Sequence, residues 1–173
     1  IRDRTYYQYL KSFGFMESTG VDLPAEVSGG IFASEKDFNS NVVSLASYSF
    51  GQTFNITPLQ LIRAQAATIN GGYLYTPYLV DQILDDDGNI ISQHESTPVR
   101  QVISEESSAK VRECLEYVVS SGTGRNGQVA GYRIGGKTGT ADKTGSKTAS
   151  NPKGDIVVSF MCFAPADDPQ YIM

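Results

Sequence analysis

Residues 128–142 have the sequence Gln-Val-Ala-Gly-Tyr-Arg-Ile-Gly-Gly-Lys-Thr-Gly-Thr-Ala-Asp, which decides the fold of this chain. Apolar residues are interspersed there with polar or small ones, and this pattern predicts a β-strand over 129–136. The tetrapeptide Lys-Thr-Gly-Thr at 137–140 follows directly. The sequence therefore places a cation, two hydroxyl groups and a glycine at the end of a strand.

The residues of this tetrapeptide suit the recognition of a peptide-like anion. Lys137 supplies a fixed positive charge, and the hydroxyl groups of Thr138 and Thr140 can hold a carboxylate. Gly139 leaves room for a substrate backbone to lie beside the strand. An exposed edge of this strand would pair with such a ligand, and one of its N–H groups would point at a developing oxyanion.

Two other motifs overlap this stretch. Residues 131–138 match the phosphate-binding pattern G-x-x-x-x-G-K-[ST] letter for letter. That motif must open a helix, whereas the residues after Thr138 are rich in Gly, Ser, Thr, Asn and Pro, which do not sustain one. Asp142-Lys-Thr-Gly-Ser146 is similar to the phosphorylated-aspartate motif of ion-pumping ATPases, but the sequence has no membrane-spanning run. A polar strand end without function is a third interpretation.

Segments on both sides of the motif resemble the transpeptidase domain of the class B (monofunctional) penicillin-binding proteins. The Lys-Thr-Gly motif is the third signature of these serine acyltransferases, after S-x-x-K and S-x-N. The matching segments extend over essentially the whole chain and are Tyr9-Leu-Lys-Ser-Phe-Gly-Phe15, Thr19-Gly-Val-Asp-Leu-Pro24, Ser49-Phe-Gly-Gln52, Thr57-Pro-Leu-Gln-Leu-Ile-Arg-Ala64, Asn70-Gly-Gly-Tyr73, Thr76-Pro77, Val119-Ser-Ser-Gly-Thr-Gly124, Gly131-Tyr132, Gly136-Lys-Thr-Gly-Thr-Ala141 and Val158-Ser-Phe-Met-Cys-Phe-Ala-Pro165. Each is weak alone, whereas their joint occurrence in this order is specific.

The resemblance implies a fold and an activity. The fold is α+β, with helices packed on an antiparallel sheet as in the β-lactamase-like serine acyltransferases, and residues 1–173 are expected to be the C-terminal portion of one transpeptidase domain. The implied activity is that of a penicillin-binding D,D-transpeptidase, which cross-links peptidoglycan stem peptides through a serine acyl-enzyme and is acylated by β-lactam antibiotics. No metal or organic cofactor is implied.

The resemblance also assigns roles to individual residues. Lys137 would provide positive potential and a hydrogen bond in the proton relay, while Thr138 and Thr140 would hold the terminal carboxylate of a D-Ala-D-Ala-like substrate or of the antibiotic. The backbone N–H of Thr140 would form one arm of the oxyanion hole. The residues expected to contact the substrate or border its cleft are Thr138, Gly139, Thr140, Asp142 and Gln52.

The other two signatures depart from the family order. Ser107-Ser-Ala-Lys110 spells S-x-x-K, but it lies shortly before Lys137 in a predicted helix, and no S-x-N occurs in the chain. The family order is S-x-x-K, S-x-N, a long helical region and then K-T-G. Ser107 is therefore predicted to match by chance. We expect the nucleophile and S-x-N to lie upstream of Ile1, and the domain to continue beyond Met173.

The composition of the chain limits which partners, metal sites and catalytic groups are possible. A net charge of −5 and an isoelectric point near 4.8 argue against nucleic acid as a partner. The single histidine, His94, argues against a His-ligated metal and a Ser-His-Asp triad, and is predicted to lie in a solvated loop. The acidic residues at 85–87 are predicted to form a hairpin tip rather than a calcium site. Cys114 and Cys162 leave two free thiols or one disulfide open.

Local signals predict the remaining elements. A helical pattern runs from Ile1 to Phe13, and Met16 to Asn41 is predicted to be a loop. The other predicted elements are a helix that a capping box at Thr57–Gln60 opens and Gly71-Gly72 ends, extended chain at Tyr73–Leu84, a strand at Ile90–Gln93, a helix that Ser104 caps and Gly122 ends, a loop at 141–154, and an apolar strand at Ile156–Ala164 antiparallel to the motif strand.

Three alternatives to a transpeptidase stay open at this point: a β-lactamase or β-lactam sensor, a non-catalytic scaffold of the same fold, and a P-loop NTPase. The residues before Ile1 would distinguish the scaffold, and nucleotide binding the NTPase. The family resemblance further implies a parent anchored in the membrane upstream of this chain, acting at the extracytoplasmic face of a bacterial cell membrane, and a place in a cell-wall synthesis complex.

Overall fold

The computed structural model describes residues 2–27, 29, 33–143 and 145–173. These residues form an α+β fold, as the sequence predicts. In chain order the elements are α1 (Asp3–Ser12), α2 (Glu35–Ser40), α3 (Val42–Ser49), α4 (Pro58–Ile69), β1 (Tyr73–Tyr75), β2 (Gln82–Leu84), β3 (Ile90–Gln93), β4 (Pro98–Gln101), α5 (Glu105–Ser120), β5 (Gly135–Asp142), β6 (Ile156–Ala164) and β7 (Tyr171–Ile172).

All strand pairs in the described residues are antiparallel. β1 pairs with β4, β2 with β3, and β5, β6 and β7 form a three-stranded sheet in that order. The predicted antiparallel pairing of the motif strand with the apolar strand is confirmed, because Lys137 lies opposite Met161 and Thr140 opposite Val158. β5 is the edge strand of this sheet, and α5 packs against it.

The N-terminal helices share an aromatic core. The rings of Tyr7 and Tyr48 pack on Phe38, with centroid distances of 5.2 and 5.1 Å. Phe38 has no exposed surface and lies in α2, so the prediction of a loop over Met16–Asn41 is wrong for this part of it. Residues 28 and 30–32 of the predicted loop lie outside the described residues. A six-residue helix with one buried aromatic residue has too few turns to produce a recognisable period.

Helix α4 confirms the predicted capping box. The backbone N–H of Gln60 donates to Thr57 Oγ1 at 3.1 Å, and the N–H of Thr57 donates to Gln60 Oε1 at 3.0 Å. Gln60 is only 1% exposed, and its amide nitrogen also donates to the carbonyl of Glu17 at 2.7 Å. Its oxygen accepts a further bond from the N–H of Gly29 at 2.9 Å. One side chain thus caps α4 and holds two loops against it.

Replacing Gln60 by Glu is expected to destabilise the protein by about 2 kcal/mol at pH 7. The carboxylate keeps the two acceptor contacts but places an unprotonated oxygen against the carbonyl of Glu17. Thermal unfolding measures the change. The control is Gln65→Glu, which adds the same charge to the same helix at a half-buried position. Equal losses of stability in the two variants would show that the hydrogen bond from Gln60 to the Glu17 carbonyl does not stabilise the fold.

The end of α4 is held by side chains from α5. Ser108, which is completely buried, donates its hydroxyl to the carbonyl of Thr68 at 2.9 Å, and Arg112 donates to the carbonyl of Ile69 at 2.8 Å. These carbonyls have no partner within the helix, so α5 supplies the missing hydrogen bonds. Gly72 follows with φ +93°, and a Cβ at this position would lie 1.9 Å from the carbonyl oxygen of Ile103. The predicted glycine stop of α4 is confirmed.

The motif strand begins later than predicted. The sequence predicts a strand over 129–136, whereas β5 runs from Gly135 to Asp142 and contains the whole tetrapeptide. The apolar residues of 129–134 mostly face solvent, with Val129 52% and Tyr132 71% exposed. Pairing with β6 starts only at Gly135, which lies opposite Phe163. The loop that follows lies between β5 and β6, and residue 144 falls outside the described part.

The remaining local predictions have mixed outcomes. The turn between β2 and β3 is confirmed, since the Asp85 carboxylate accepts from the N–H groups of Asp87 and Asn89 at 3.0 and 2.8 Å. Ser104 caps α5 as predicted. Strand β4 and helix α3 were not predicted.

Cys114 and Cys162 are both free thiols. In the described residues, no helix has the length and apolar character to cross a membrane, and no acidic, cysteine or histidine cluster has the form of a metal site.

Candidate active site

A groove runs between β5 and α4, and the tetrapeptide at 137–140 forms one of its walls. The opposite wall is formed by the first turns of α4 and by the connection that precedes it. The residues on that wall are Phe50, Gly51, Phe54, Ile56, Pro58, Leu61, Ile62 and Gln65. The groove therefore has a mostly apolar wall that faces the strand carrying Lys137 and the two threonines.

The alternation of β5 sorts the tetrapeptide onto two faces. Gly139 pairs with Ser159, and a Cβ at Gly139 would lie 2.5 Å from the Ser159 hydroxyl oxygen. Any larger residue at 139 would therefore displace Ser159. Thr138 and Thr140 project to the other face, and the Thr138 hydroxyl lies 3.4 Å from that of Thr123. Thr123 belongs to the predicted family block after α5, but the sequence did not indicate this contact.

Lys137 carries a charge that no carboxylate in the described residues neutralises. Its side chain is exposed, and its ammonium group donates to the carbonyl of Thr138 at 2.7 Å. It forms none of the ion pairs found in the described part of the chain. The ammonium group is therefore available to an anion that enters the groove.

The free edge of β5 offers unpaired backbone groups beside these side chains. Among the described residues, β5 hydrogen-bonds to a strand, β6, on one side only. An exposed edge strand can pair with an extended peptide, so its backbone groups can align a substrate along the strand. The structure thus brings Lys137, Thr138, Gly139 and Thr140 together on an accessible edge, as the sequence predicts.

Arg133 fixes the chain just before β5. Its guanidinium group donates to both carboxylate oxygens of Glu116, at 2.7 and 2.8 Å, and lies 3.0 Å from Asp167. Its carbonyl accepts from the N–H of Ala166 at 3.0 Å. The hydrogen bonds from Arg133 hold the pKa of the Glu116 carboxyl below its usual value. Three elements, namely α5, the entry to β5 and the β6–β7 turn, therefore meet at one side chain that the sequence did not single out.

Arg133→Met is expected to lower the melting temperature by a few degrees at pH 7. Because the folded-state pKa of Glu116 is depressed, its stabilisation is complete above the ordinary carboxyl pKa of about 4.3 and is lost as the pH falls through the folded value. The difference between wild type and variant should therefore shrink below about pH 4. Thermal unfolding over this pH range tests it, with Arg125→Met as a control that breaks no ion pair in the described residues. A pH-independent difference would contradict the assignment.

Two predicted cleft residues do not line the groove. Asp142 ends β5, and its exposed carboxylate lies 3.8 Å from the ammonium group of Lys147. Gln52 is half-buried, and its backbone N–H donates to the carbonyl of Ser47 at 2.9 Å. Its neighbours Phe50 and Gly51 line the groove instead. The roles of Asp142 and Gln52 in substrate binding stay predictions.

Neither S-x-x-K sequence has the contacts expected of a serine nucleophile and its lysine. Ser107 is in the first turn of α5, its hydroxyl accepts from the Ser104 hydroxyl, and Lys110 pairs with Glu106 at 2.6 Å. A second S-x-x-K sequence, Ser150-Asn-Pro-Lys153, lies in the exposed loop after β5. Neither serine is paired with its own lysine.

The phosphate-binding interpretation of 131–138 is wrong. A P-loop requires a helix directly after its Lys-Thr, because the N-terminal N–H groups of that helix hold the phosphates. The residues at 135–142 form strand β5 instead.

Comparison with known proteins assigns the chain to a family. The family described as "Penicillin binding protein transpeptidase domain" matches residues 1–173. Stage V sporulation protein D of Bacillus subtilis (strain 168) is 43% identical over 96% of this chain, and the match covers 25% of that relative. A peptidoglycan D,D-transpeptidase FtsI homolog of Mesostigma viride is 32% identical over 97% of this chain and 30% of its own length.

Solved structures support the same family assignment. Penicillin-binding protein 3 of Mycobacterium tuberculosis, in complex with aztreonam, superposes with a TM-score of 0.76 at 29% identity, over 96% of this chain and 38% of that one. This chain thus spans about a quarter to a third of the length of the curated relatives named above. The family match, the relatives and the edge strand that carries Lys-Thr-Gly-Thr lead to one conclusion: the chain belongs to the transpeptidase domain family of the class B penicillin-binding proteins.

Proposed function

We propose that this chain forms the substrate-holding wall of a D,D-transpeptidase that cross-links peptidoglycan stem peptides through a serine acyl-enzyme. β-Lactam antibiotics would acylate the same serine. One observation carries the proposal. A single accessible edge strand holds both a lysine that has no ion-pair partner in the described residues and two threonine hydroxyls. An anionic, peptide-like substrate needs all of these groups at once.

Substrate binding follows from the chemistry of β5. The stem peptide lies along the free edge of the strand, and its terminal carboxylate accepts hydrogen bonds from Thr138 and Thr140. Gly139 places no side chain of its own between the strand and the substrate backbone. The field of Lys137 attracts the carboxylate and strengthens both hydrogen bonds. The apolar wall opposite, formed around Phe50, Phe54 and Ile62, excludes water from one side of the substrate.

The chemical step needs groups that stabilise negative charge. Attack on the penultimate D-Ala carbonyl places an oxyanion at the carbonyl oxygen, and the backbone N–H of Thr140 is one donor to it. Lys137 lowers the energy of this charge and takes part in the transfer of the serine proton. The nucleophile belongs to an S-x-x-K segment outside these residues, because Ser107 and Ser150 both lack the required surroundings. The same arrangement attacks a β-lactam carbonyl.

The parent protein would act at the extracytoplasmic face of a bacterial membrane, anchored by a segment outside this chain and associated with other cell-wall synthesis proteins. A β-lactamase or sensor of the same fold is the second candidate, because it uses the same Lys-Thr-Gly strand. A transpeptidase and a β-lactamase differ in the lifetime of the acyl-enzyme. A transpeptidase holds its penicilloyl adduct, whereas a β-lactamase hydrolyses it.

The test uses the full-length protein with fluorescent penicillin and with a peptide that ends in D-Ala-D-Ala. We expect a long-lived stoichiometric adduct on a serine outside residues 1–173, and release of D-Ala when an amine acceptor is present. Rapid turnover of the penicillin would indicate a β-lactamase. Absence of any adduct would indicate a non-catalytic scaffold, and either result would overturn the proposal.

A further inference from the structure

The hairpin formed by β2 and β3, with its flanking residues, stands apart from the rest of the fold. We call residues 79–95 the acidic hairpin. In the part of the chain that the structure describes, its two strands pair only with each other, so each strand keeps one unpaired edge. The base is held firmly, since the carboxylate of Asp22 accepts from the N–H groups of Leu79 and Val80, both at 2.8 Å. The rings of Tyr78 and His94 stack across the base with centroids 3.7 Å apart.

Aliphatic side chains cover this ribbon without being buried. Their exposed fractions range from 49% to 67% for Leu79, Val80, Ile83, Leu84, Ile90 and Ile91. Leu84 and its cross-strand partner Ile90 share one face of the ribbon, whereas Ile83 projects to the other, so aliphatic side chains are exposed on both faces. Exposed aliphatic surface of this extent often marks a site of interaction with a partner. The described residues of this chain leave it uncovered.

The charge of the hairpin has one sign. No lysine or arginine occurs between Arg63 and Arg100, whereas that interval contains five carboxylates, Asp81, Asp85, Asp86, Asp87 and Glu95. These five carboxylates carry as much negative charge as the whole chain carries net, namely −5. Only Asp85 is needed for the turn, because its carboxylate accepts two backbone hydrogen bonds and one from the Asn89 side chain. The other four carboxylates create a negative field beside the apolar surface.

We propose that the acidic hairpin is a docking site for a basic, extended segment of another protein, which adds to its free edge as a strand. Alternating side chains of such a segment would point to opposite faces, so that apolar residues cover the aliphatic surface while lysine or arginine residues meet the carboxylates. The anchored base keeps the hairpin in the binding conformation and reduces the entropy lost on docking. An anionic membrane surface or nucleic acid would be repelled.

The test measures binding of two peptides to the full-length protein. The cationic peptide acetyl-Lys-Val-Lys-Val-Lys-Val-Lys-amide is expected to bind, and its counterpart with Glu in place of Lys is not. Binding should weaken with added salt and should slow amide hydrogen exchange in residues 82–93. The triple variant Asp81→Asn, Asp86→Asn, Asp87→Asn should weaken binding about tenfold. It spares Asp85 and therefore the turn.

Two further variants separate charge from burial. The control Glu106→Gln, Glu113→Gln, Asp168→Asn removes the same number of exposed charges elsewhere and should leave binding unchanged. The double variant Ile83→Thr, Ile91→Thr keeps β-branched residues and should weaken binding several-fold. Unchanged melting temperatures exclude misfolding. The proposal is overturned if the cationic peptide does not bind, if both triple variants behave alike, or if the amides on the outer edges of β2 and β3 are already protected without peptide.

Discussion

Lys137→Ala is expected to slow penicillin acylation of the full-length protein by about a hundredfold or more. The ammonium group lies on the groove edge without a carboxylate partner in the described residues, so its positive field acts undiminished on an incoming anion. Its removal takes away a charge-assisted contact to the carboxylate and the electrostatic stabilisation of the oxyanion together. The measurement is the second-order rate constant for acylation by a labelled penicillin.

Two companion variants sharpen this result. Thr138→Val removes one hydroxyl and keeps the shape, so its effect should be milder, about tenfold or less. Lys143→Ala removes the same charge just beyond β5, at an exposed position, and should change the rate little. Acylation at the wild-type rate by the Lys137→Ala protein would refute the role of this lysine. Equal losses in Lys137→Ala and Lys143→Ala would point to general attraction rather than a positioned charge.

The 173-residue chain by itself is expected to form no covalent adduct with penicillin. Acylation requires a serine within hydrogen-bonding reach of its base. The hydroxyl of Ser107 accepts a bond from Ser104 instead, and Lys110 is paired with Glu106. In the proposed mechanism the second donor of the oxyanion hole would be the nucleophile's own N–H, and the loss of one such donor costs about a hundredfold or more in rate.

Mass spectrometry after prolonged incubation with a labelled penicillin checks this expectation. The full-length protein, treated in parallel, is the positive control and should gain one adduct. A stoichiometric adduct on the isolated chain, mapped to Ser107, Ser150 or any other serine, would show that these residues carry a complete active site. It would also show that the order of the motifs had been misinterpreted.

Several parts of the fold were predictable because their causes are local. The capping box of α4 joins Thr57 to Gln60, and the turn after β2 joins Asp85 to Asn89. Both depend on hydrogen bonds between residues that are neighbours in sequence, so residue types alone indicate them. The tetrapeptide at 137–140 was found in the same way, since its chemistry is written in four consecutive residues.

Other features depend on residues far apart in the chain, and sequence patterns did not predict them. Helix α2 has a local cap at Ser34, but its buried residue Phe38 packs between Tyr7 and Tyr48, which lie in other helices. Strand β5 begins at Gly135 because pairing with Phe163 begins there, and not where the apolar pattern of 129–134 begins. Each of these outcomes is set by packing between distant segments, which no local period encodes.

The same distinction between local and long-range causes applies to the candidate site. The sequence by itself determined the family, the fold class and the four residues of the motif, because a cation, two hydroxyls and a glycine are specified by residue type and order. Only the tertiary structure decided that α4 supplies the opposite wall, that Thr123 approaches Thr138, and that Arg133 holds the entry of β5 through Glu116. These relations join segments distant in sequence, and three-dimensional packing alone brings them within contact distance.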